Sequence, residues 1–221
     1  ACAIHCRYCF RREFPYSDNS AHRSQSELIK QYLINHPDVS EVILSGGDPL
    51  MQSDEKLQHL FDLFEELAPI KRIRIHTRLP VVLPSRITNR FLDILSKTSK
   101  KVIIVIHANH PNELNSEVAN TLLLLKKIHV TLLNQSVLLQ GINDHAETLV
   151  TLSHRLFECH TLPYYLHVLD KVTGAQHFDS PNKMIFDLYR HMQENLPGYL
   201  LPKLVCEESG KAHKTLIATA R

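Results

Sequence analysis

The sequence predicts an α/β fold: a single domain on a parallel sheet, forming an open or partly closed barrel. Apolar, strand-like runs alternate with helical patterns at intervals of roughly 25–35 residues, the rhythm of βαβ units. One run, Val102 to His107, is almost continuously apolar and β-branched, as a strand buried on both faces should be. Polar and ionisable residues gather just after the strands, the edge where parallel α/β folds place their chemistry. No internal repeat, low-complexity tract or linker interrupts the pattern. Residues 1–221 are therefore read as one domain, with 195–221 as its C-terminal segment.

The elements follow in order. A cysteine-rich loop, Cys2 to Arg12, leads into a polar stretch from Ser17 to Ser24. A helical pattern runs from Gln25 to His36 and stops at Pro37. Glu41 to Leu44 reads as a short strand entering Ser45-Gly46-Gly47-Asp48-Pro49. Ser53 is placed to cap a helix from Asp54 to Leu67. Arg72 to His76 alternates as a strand, and Thr88 opens a helix reaching Leu95. After Val102 to His107, Ser116 is expected to cap a leucine-rich helix ending at Ile128. Strand Val130 to Val137, helix Ala146 to Cys159, strand Tyr164 to Leu169, helix Asn182 to Asn195 and strand Pro202 to Cys206 complete the chain.

Composition excludes some classes. With 25 basic and 23 acidic residues the net charge is +2, which makes no electrostatic case for nucleic acid or an anionic membrane. The apolar runs, such as Thr121 to Leu125, are far too short to cross a bilayer. Five cysteines, three of them clustered, suit a reducing cytoplasm, and Cys159 and Cys206 read as buried thiols. The chain opens at Ala1 directly before the clustered cysteines, so a preceding segment is expected to support that loop.

Cys2, Cys6 and Cys9 stand in a C-x₃-C-x₂-C spacing within one short loop. Three thiolates this close can serve a metal or an iron–sulfur cluster, whereas an odd number in short loops fits disulfides poorly. A [4Fe–4S] cluster held by three cysteines leaves one iron open to a small molecule. A zinc site would need a fourth ligand, His5 being the nearby candidate, and would make the loop a nucleic-acid-binding module. The glycine pair Gly46-Gly47 lets backbone approach a ligand, or simply makes a tight turn. Gln135, polar within an apolar strand, must face a pocket or a buried partner.

The loop CAIHCRYCFRR resembles that of the radical S-adenosylmethionine enzymes. The resemblance implies a partial (β/α)₆ barrel of parallel strands with outer helices. It also implies a [4Fe–4S] cluster on Cys2, Cys6 and Cys9, with S-adenosylmethionine chelated to the open iron and cleaved to an adenosyl radical. Gly46, Gly47, Asp48, Arg78, His107 and Gln135 are then assigned to S-adenosylmethionine. The motifs HTRLPVVLP, HANHPNE and LLNQSVLLQGIND are similar to those of the lysine 2,3-aminomutases. That resemblance implies pyridoxal phosphate held as a Schiff base to a C-terminal lysine. Lys214, before Thr215, fits the position; Lys211 competes, because only Gly210 remains of the family's glycine run. Arg11 corresponds to the arginine that grips the substrate carboxylate, and Asp170 and Glu207 to the acids that hold the lysine ε-ammonium. Glu207 departs from the family's aspartate. Within the family, CRYCFRREFPY, ILSGGDPLM and YYLHVLDKV look most like the EpmB-type branch, which makes (R)-β-lysine for elongation factor P. The expected partners are L-lysine, an electron donor, an elongation factor P–lysine ligase and a second copy of the chain. The alternatives are a catabolic lysine or arginine 2,3-aminomutase.

Overall fold

The computed structural model describes residues 2–9, 11, 26–208 and 210–217. Phe10, the polar stretch Ser17 to Ser24 and the expected helix start at Gln25 lie outside the described residues. Seven strands form one sheet in chain order. β1 (Glu41–Leu44), β2 (Arg72–His76), β3 (Lys101–Ile106), β4 (Thr131–Val137), β5 (Leu162–His167) and β6 (Lys203–Cys206) run parallel. β7 (Thr215–Leu216) turns back antiparallel against β6. The expected parallel half-barrel is present, with one correction: a short seventh strand runs in the opposite direction.

Helices α1 (Ser26–Asn35), α2 (Asp54–Glu65), α3 (Leu79–Val82), α4 (Asn89–Lys97), α5 (Ser116–Lys127), α6 (Ala146–Glu158) and α7 (Asn182–Asn195) cover the outer face. Their starts obey capping chemistry. Ser53 accepts from Lys56 N and Thr88 from Phe91 N, each satisfying an orphan N–H of the first turn. Asn115, rather than Ser116, caps α5 by accepting from Val118 N; Ser116 is the first helical residue. Among the described residues no helix is long and apolar enough to cross a membrane.

The pleat divides each strand between two environments. Ile73, Ile75, Val102, Ile104, Ile106 and Leu132 point outward, where they pack with Phe61, Phe64, Phe91, Leu95, Leu122 and Leu125. Each such side chain withdrawn from water stabilises the fold by about 1.5–3 kcal/mol. Their neighbours in sequence, Arg74 and His76, alternate to the inner face and are only half-buried. Between β4 and β5 the register shifts, because Asn134 pairs with Pro163 while Gln135 pairs with Tyr165. Pro163 has no N–H for the ladder, and Tyr164 is the extra residue of the resulting bulge.

Candidate active site

Above the C-terminal ends of the strands lies the cysteine loop. Cys2, Cys6 and Cys9 are half-buried free thiols. Cys9 N donates to Cys6 O at 3.1 Å, closing a turn that keeps the last two cysteines together. Each end of the loop is tied to a different strand. Burial pushes the Cys2 thiol up, while the Asp48 backbone N–H, after β1, works the other way. Cys6 Sγ accepts from Arg78 Nη1 at 3.1 Å, after β2. Tyr8 packs against Leu139, Leu169, Ala175 and Phe178. Its hydroxyl accepts from Arg78 Nη1 and from Asn109 Nδ2, the latter at 2.6 Å. Burial pushes that phenol up to about 12, so it stays a neutral hydrogen-bonding group. Arg7 lies 5.2 Å from the Phe178 ring centroid and meets His177 Nε2 at 3.0 Å.

The glycine loop after β1 is shaped by Gly46, whose φ of 124° suits glycine alone. Asp48 caps the following turn by accepting from Leu50 N at 3.1 Å. The same carboxylate accepts from Thr77 Oγ1 at 2.6 Å and from Arg78 N at 2.7 Å. Its side chain therefore pins the β1 loop to the β2 loop, and its backbone N–H is the part that faces the cysteine loop. Arg78 is held in turn by Glu113 Oε2 at 2.8 Å. Its Nε is buried with no hydrogen-bond acceptor among the described residues.

On the inner face of the sheet, Gln135 Nε2 meets His107 Nε2 at 2.8 Å, and the His107 and His76 rings stand 6.4 Å apart. Burial drives all three inner histidines down: His107 to about 3, and His76 and His167 to about 4. Neighbouring cations reinforce this. His76 feels Arg74, Lys214 and Arg11, while His167 feels Lys214. These imidazoles are neutral at physiological pH.

Beyond the strand ends the β6–β7 hairpin completes the site. Cys206 pairs with Thr215, which sets Glu207 and Lys214 opposite one another on the inner side. Lys214 Nζ is ion-paired with Glu207 Oε1 and lies 5.7 Å from the Tyr165 ring centroid. Asp170 sits close enough for Glu207 and Lys214 to act on its carboxyl, which burial pushes up. Lys211 pairs instead with Glu208 at 2.5 Å, on the exposed turn. Cys206 is half-buried rather than buried, whereas Cys159 is buried as expected.

The predicted residues thus fall into two groups. Cys2, Cys6, Cys9, the Gly46-Gly47-Asp48 loop and Arg78 make one; Arg11, Asp170, Glu207 and Lys214 make the other, with His76, which the sequence did not single out, beside Arg11 and Lys214. His107 and Gln135 sit on the sheet's inner face. Sequence reasoning overlooked Glu113 and Asn143. Glu113 completes a capping box, accepting from Asn109 N at 2.7 Å and His110 N at 3.0 Å. The Pro111-Asn112-Glu113 spacing after His110 was the available signal. Asn143, fully buried, bonds Leu139 N, Asn109 O and Val137 O.

Residues 1–152 match the family described as the Radical SAM superfamily. The L-lysine 2,3-aminomutase of Buchnera aphidicola is 50% identical over 216 residues, covering 98% of this chain and 64% of that protein. The L-lysine 2,3-aminomutase of Escherichia coli is 44% identical over 214 residues, covering 97% of this chain and 63% of its own. The solved structure of native anSMEcpe with bound AdoMet superposes with a TM-score of 0.61 at 15% identity. It covers 88% of this chain and 57% of that one, a likeness of fold. With more than half of its residues matched, the chain belongs to the radical SAM superfamily, a class of enzymes. Within that class its sequence is similar to proteins named L-lysine 2,3-aminomutase over nearly its whole length. The chain spans slightly under two thirds of the length of these two relatives.

Membership brings a [4Fe–4S] cluster and S-adenosylmethionine, and the residues fit both. Among the described residues no three His, Cys, Asp or Glu side chains are close enough to hold one ion. A cluster does not require that, because each cysteine ligates a different iron. His5 is exposed, and the superfamily match replaces the zinc-module alternative. The buried, acceptor-less Nε of Arg78 is a donor that a bound carboxylate would satisfy.

Proposed function

We propose that the protein is an L-lysine 2,3-aminomutase that also uses pyridoxal phosphate, making (R)-β-lysine for elongation factor P. In this reading an elongation factor P–lysine ligase takes up the product. The observation that carries it is the charge arrangement around Lys214. Arg11 and Lys214 both act on His76, and Glu207 and Asp170 surround Lys214. An α-amino acid with a cationic tail needs such a site: a guanidinium for its carboxylate and two acids for its distal ammonium.

Each residue has a stated task. Cys2, Cys6 and Cys9 would hold the cluster, which with S-adenosylmethionine supplies a carbon radical able to abstract hydrogen. Lys214 would hold pyridoxal phosphate, whose conjugated ring spreads unpaired electron density. Lys214 is favoured over Lys211 because it lies on the inner side, beside the Tyr165 ring. Arg11 would orient the carboxylate, and Asp170 and Glu207 the ammonium. The neutral imidazoles of His76 and His167 would add polarity without competing charge.

The test uses the full-length protein, reconstituted anaerobically with iron, sulfide, S-adenosylmethionine, pyridoxal phosphate and a low-potential reductant. L-lysine should yield β-lysine on chromatography against standards. Cleavage of S-adenosylmethionine without β-lysine would reject lysine as the substrate. Lys214→Ala should abolish the visible absorbance that pyridoxal phosphate gives the protein. If Lys211→Ala abolishes it instead, the assignment of the lysine fails.

A further inference from the structure

We propose that the Arg78–Glu113 ion pair sets the reduction potential of the cluster, with Arg78 acting directly on the Cys6 thiolate and Glu113 acting through Arg78. This inference rests on radical SAM membership and is independent of which substrate the enzyme takes.

The geometry gives the two residues opposite electrostatic effects. Arg78 Nη1 donates to Cys6 Sγ at 3.1 Å, and Arg78 Nη2 donates to Glu113 Oε2 at 2.8 Å. Their side chains are only 18% and 24% exposed, so water screens these charges weakly. Neither partner is free to drift. The Arg78 backbone is fixed by Asp48, and Glu113 is fixed by the backbone N–H groups of Asn109 and His110. Tyr8 fills the remaining space, its hydroxyl bonded to both Arg78 and Asn109.

Reduction adds one electron to the cluster, and part of that charge resides on the coordinating sulfurs. A guanidinium bonded to Cys6 favours the reduced state and raises the potential. A carboxylate directly behind that guanidinium cancels part of its charge and lowers the potential. Removing either partner must therefore move the potential in opposite directions. A purely structural role would loosen the loop in both cases and predicts no such opposition. Glu113 is the positioning residue in this scheme, because it acts on the cluster only through Arg78, which itself bonds the Cys6 sulfur.

The experiment is an anaerobic redox titration of the reconstituted full-length protein, followed by electron paramagnetic resonance without S-adenosylmethionine or lysine. Iron and sulfide content is measured on each sample. Glu113→Gln, which keeps the shape and one acceptor, should favour reduction about tenfold, a rise of about 59 mV for one electron. Arg78→Gln should disfavour it by about the same factor. Tyr8→Phe, neutral for neutral, should shift it far less than either. Shifts of the same sign in Glu113→Gln and Arg78→Gln, or none in Glu113→Gln at full iron content, would overturn the proposal. If Glu113→Gln does not retain the cluster, Arg78→Lys against Arg78→Gln decides. A near-normal potential only in the lysine variant supports the charge effect, and equal shifts refute it.

Discussion

Asp48→Asn replaces one carboxylate oxygen by an NH₂ group at almost unchanged volume, and it isolates the clip between the first two strand loops. In the native protein Oδ1 accepts from Thr77 Oγ1 and Leu50 N, and Oδ2 accepts from Arg78 N at 2.7 Å. The amide oxygen of asparagine can keep the first two bonds. Its NH₂ then meets the Arg78 N–H donor to donor, losing a charge-assisted bond and leaving an N–H unsatisfied. The expected destabilisation is about 2–3 kcal/mol. Asp48→Ala removes all three bonds; because the site is half-buried, water repairs part of the loss, and about 3–5 kcal/mol is expected. Equilibrium urea unfolding followed by circular dichroism measures both, with the denaturant slope unchanged between variants. An asparagine variant within about 0.5 kcal/mol of the native protein, or an alanine variant no worse than asparagine, refutes the clip. A loss of S-adenosylmethionine affinity at full stability would instead return Asp48 to direct ligand contact.

The buried histidines make stability depend on pH. Their folded pKa values, about 3 for His107 and about 4 for His76 and His167, lie below the unfolded value near 6.5. Between pH 6.5 and 4 the unfolded chain therefore binds protons that the native state does not, and stability falls as pH falls. His167, 8% exposed, accounts for about 3 kcal/mol by pH 4, so His167→Gln should flatten the acid limb. An identical limb in urea titrations would refute a neutral native imidazole. Asn143→Ala strands Leu139 N, Asn109 O and Val137 O and should cost about 3 kcal/mol by the same unfolding assay. A cost under about 1 kcal/mol would mean that water replaces the amide.

Most of the scaffold was legible because its signals are local. Glu41–Leu44, Arg72–His76 and Asn182–Asn195 have the boundaries that periodicity predicts, and Ser53 and Thr88 cap as hydroxyl residues should. Asn115 displaced Ser116 because either side chain can cap, and a one-residue choice depends on backbone direction. Helix α3 was missed because it is one turn long and Pro80, Val81 and Val82 are weak helix formers, Pro80 being tolerated only in a first turn. β7 is two residues long and exists only by pairing with β6. At the site, the cysteine spacing was readable, whereas the role of Glu113 was not. It depends on contact with Arg78, 35 residues away in sequence. Asp48 was read as a ligand contact from its motif, yet its two oxygens are taken by Leu50, Thr77 and Arg78, partners that only the fold supplies.

The reversal of direction at β7 separates two properties that a parallel strand would couple. Pairing of Cys206 with Thr215 fixes where the backbone presents Lys214, and a slip of one residue would turn that amine to the opposite face. The facing position, Glu207, belongs to the other arm of the hairpin and meets the lysine only through its side chain, as the ion-pair partner of Nζ. A methylene can be gained or lost there without moving the backbone that presents the lysine. Carboxylate reach at position 207 is thus free to drift under selection, while presentation of the amine stays locked to the ladder.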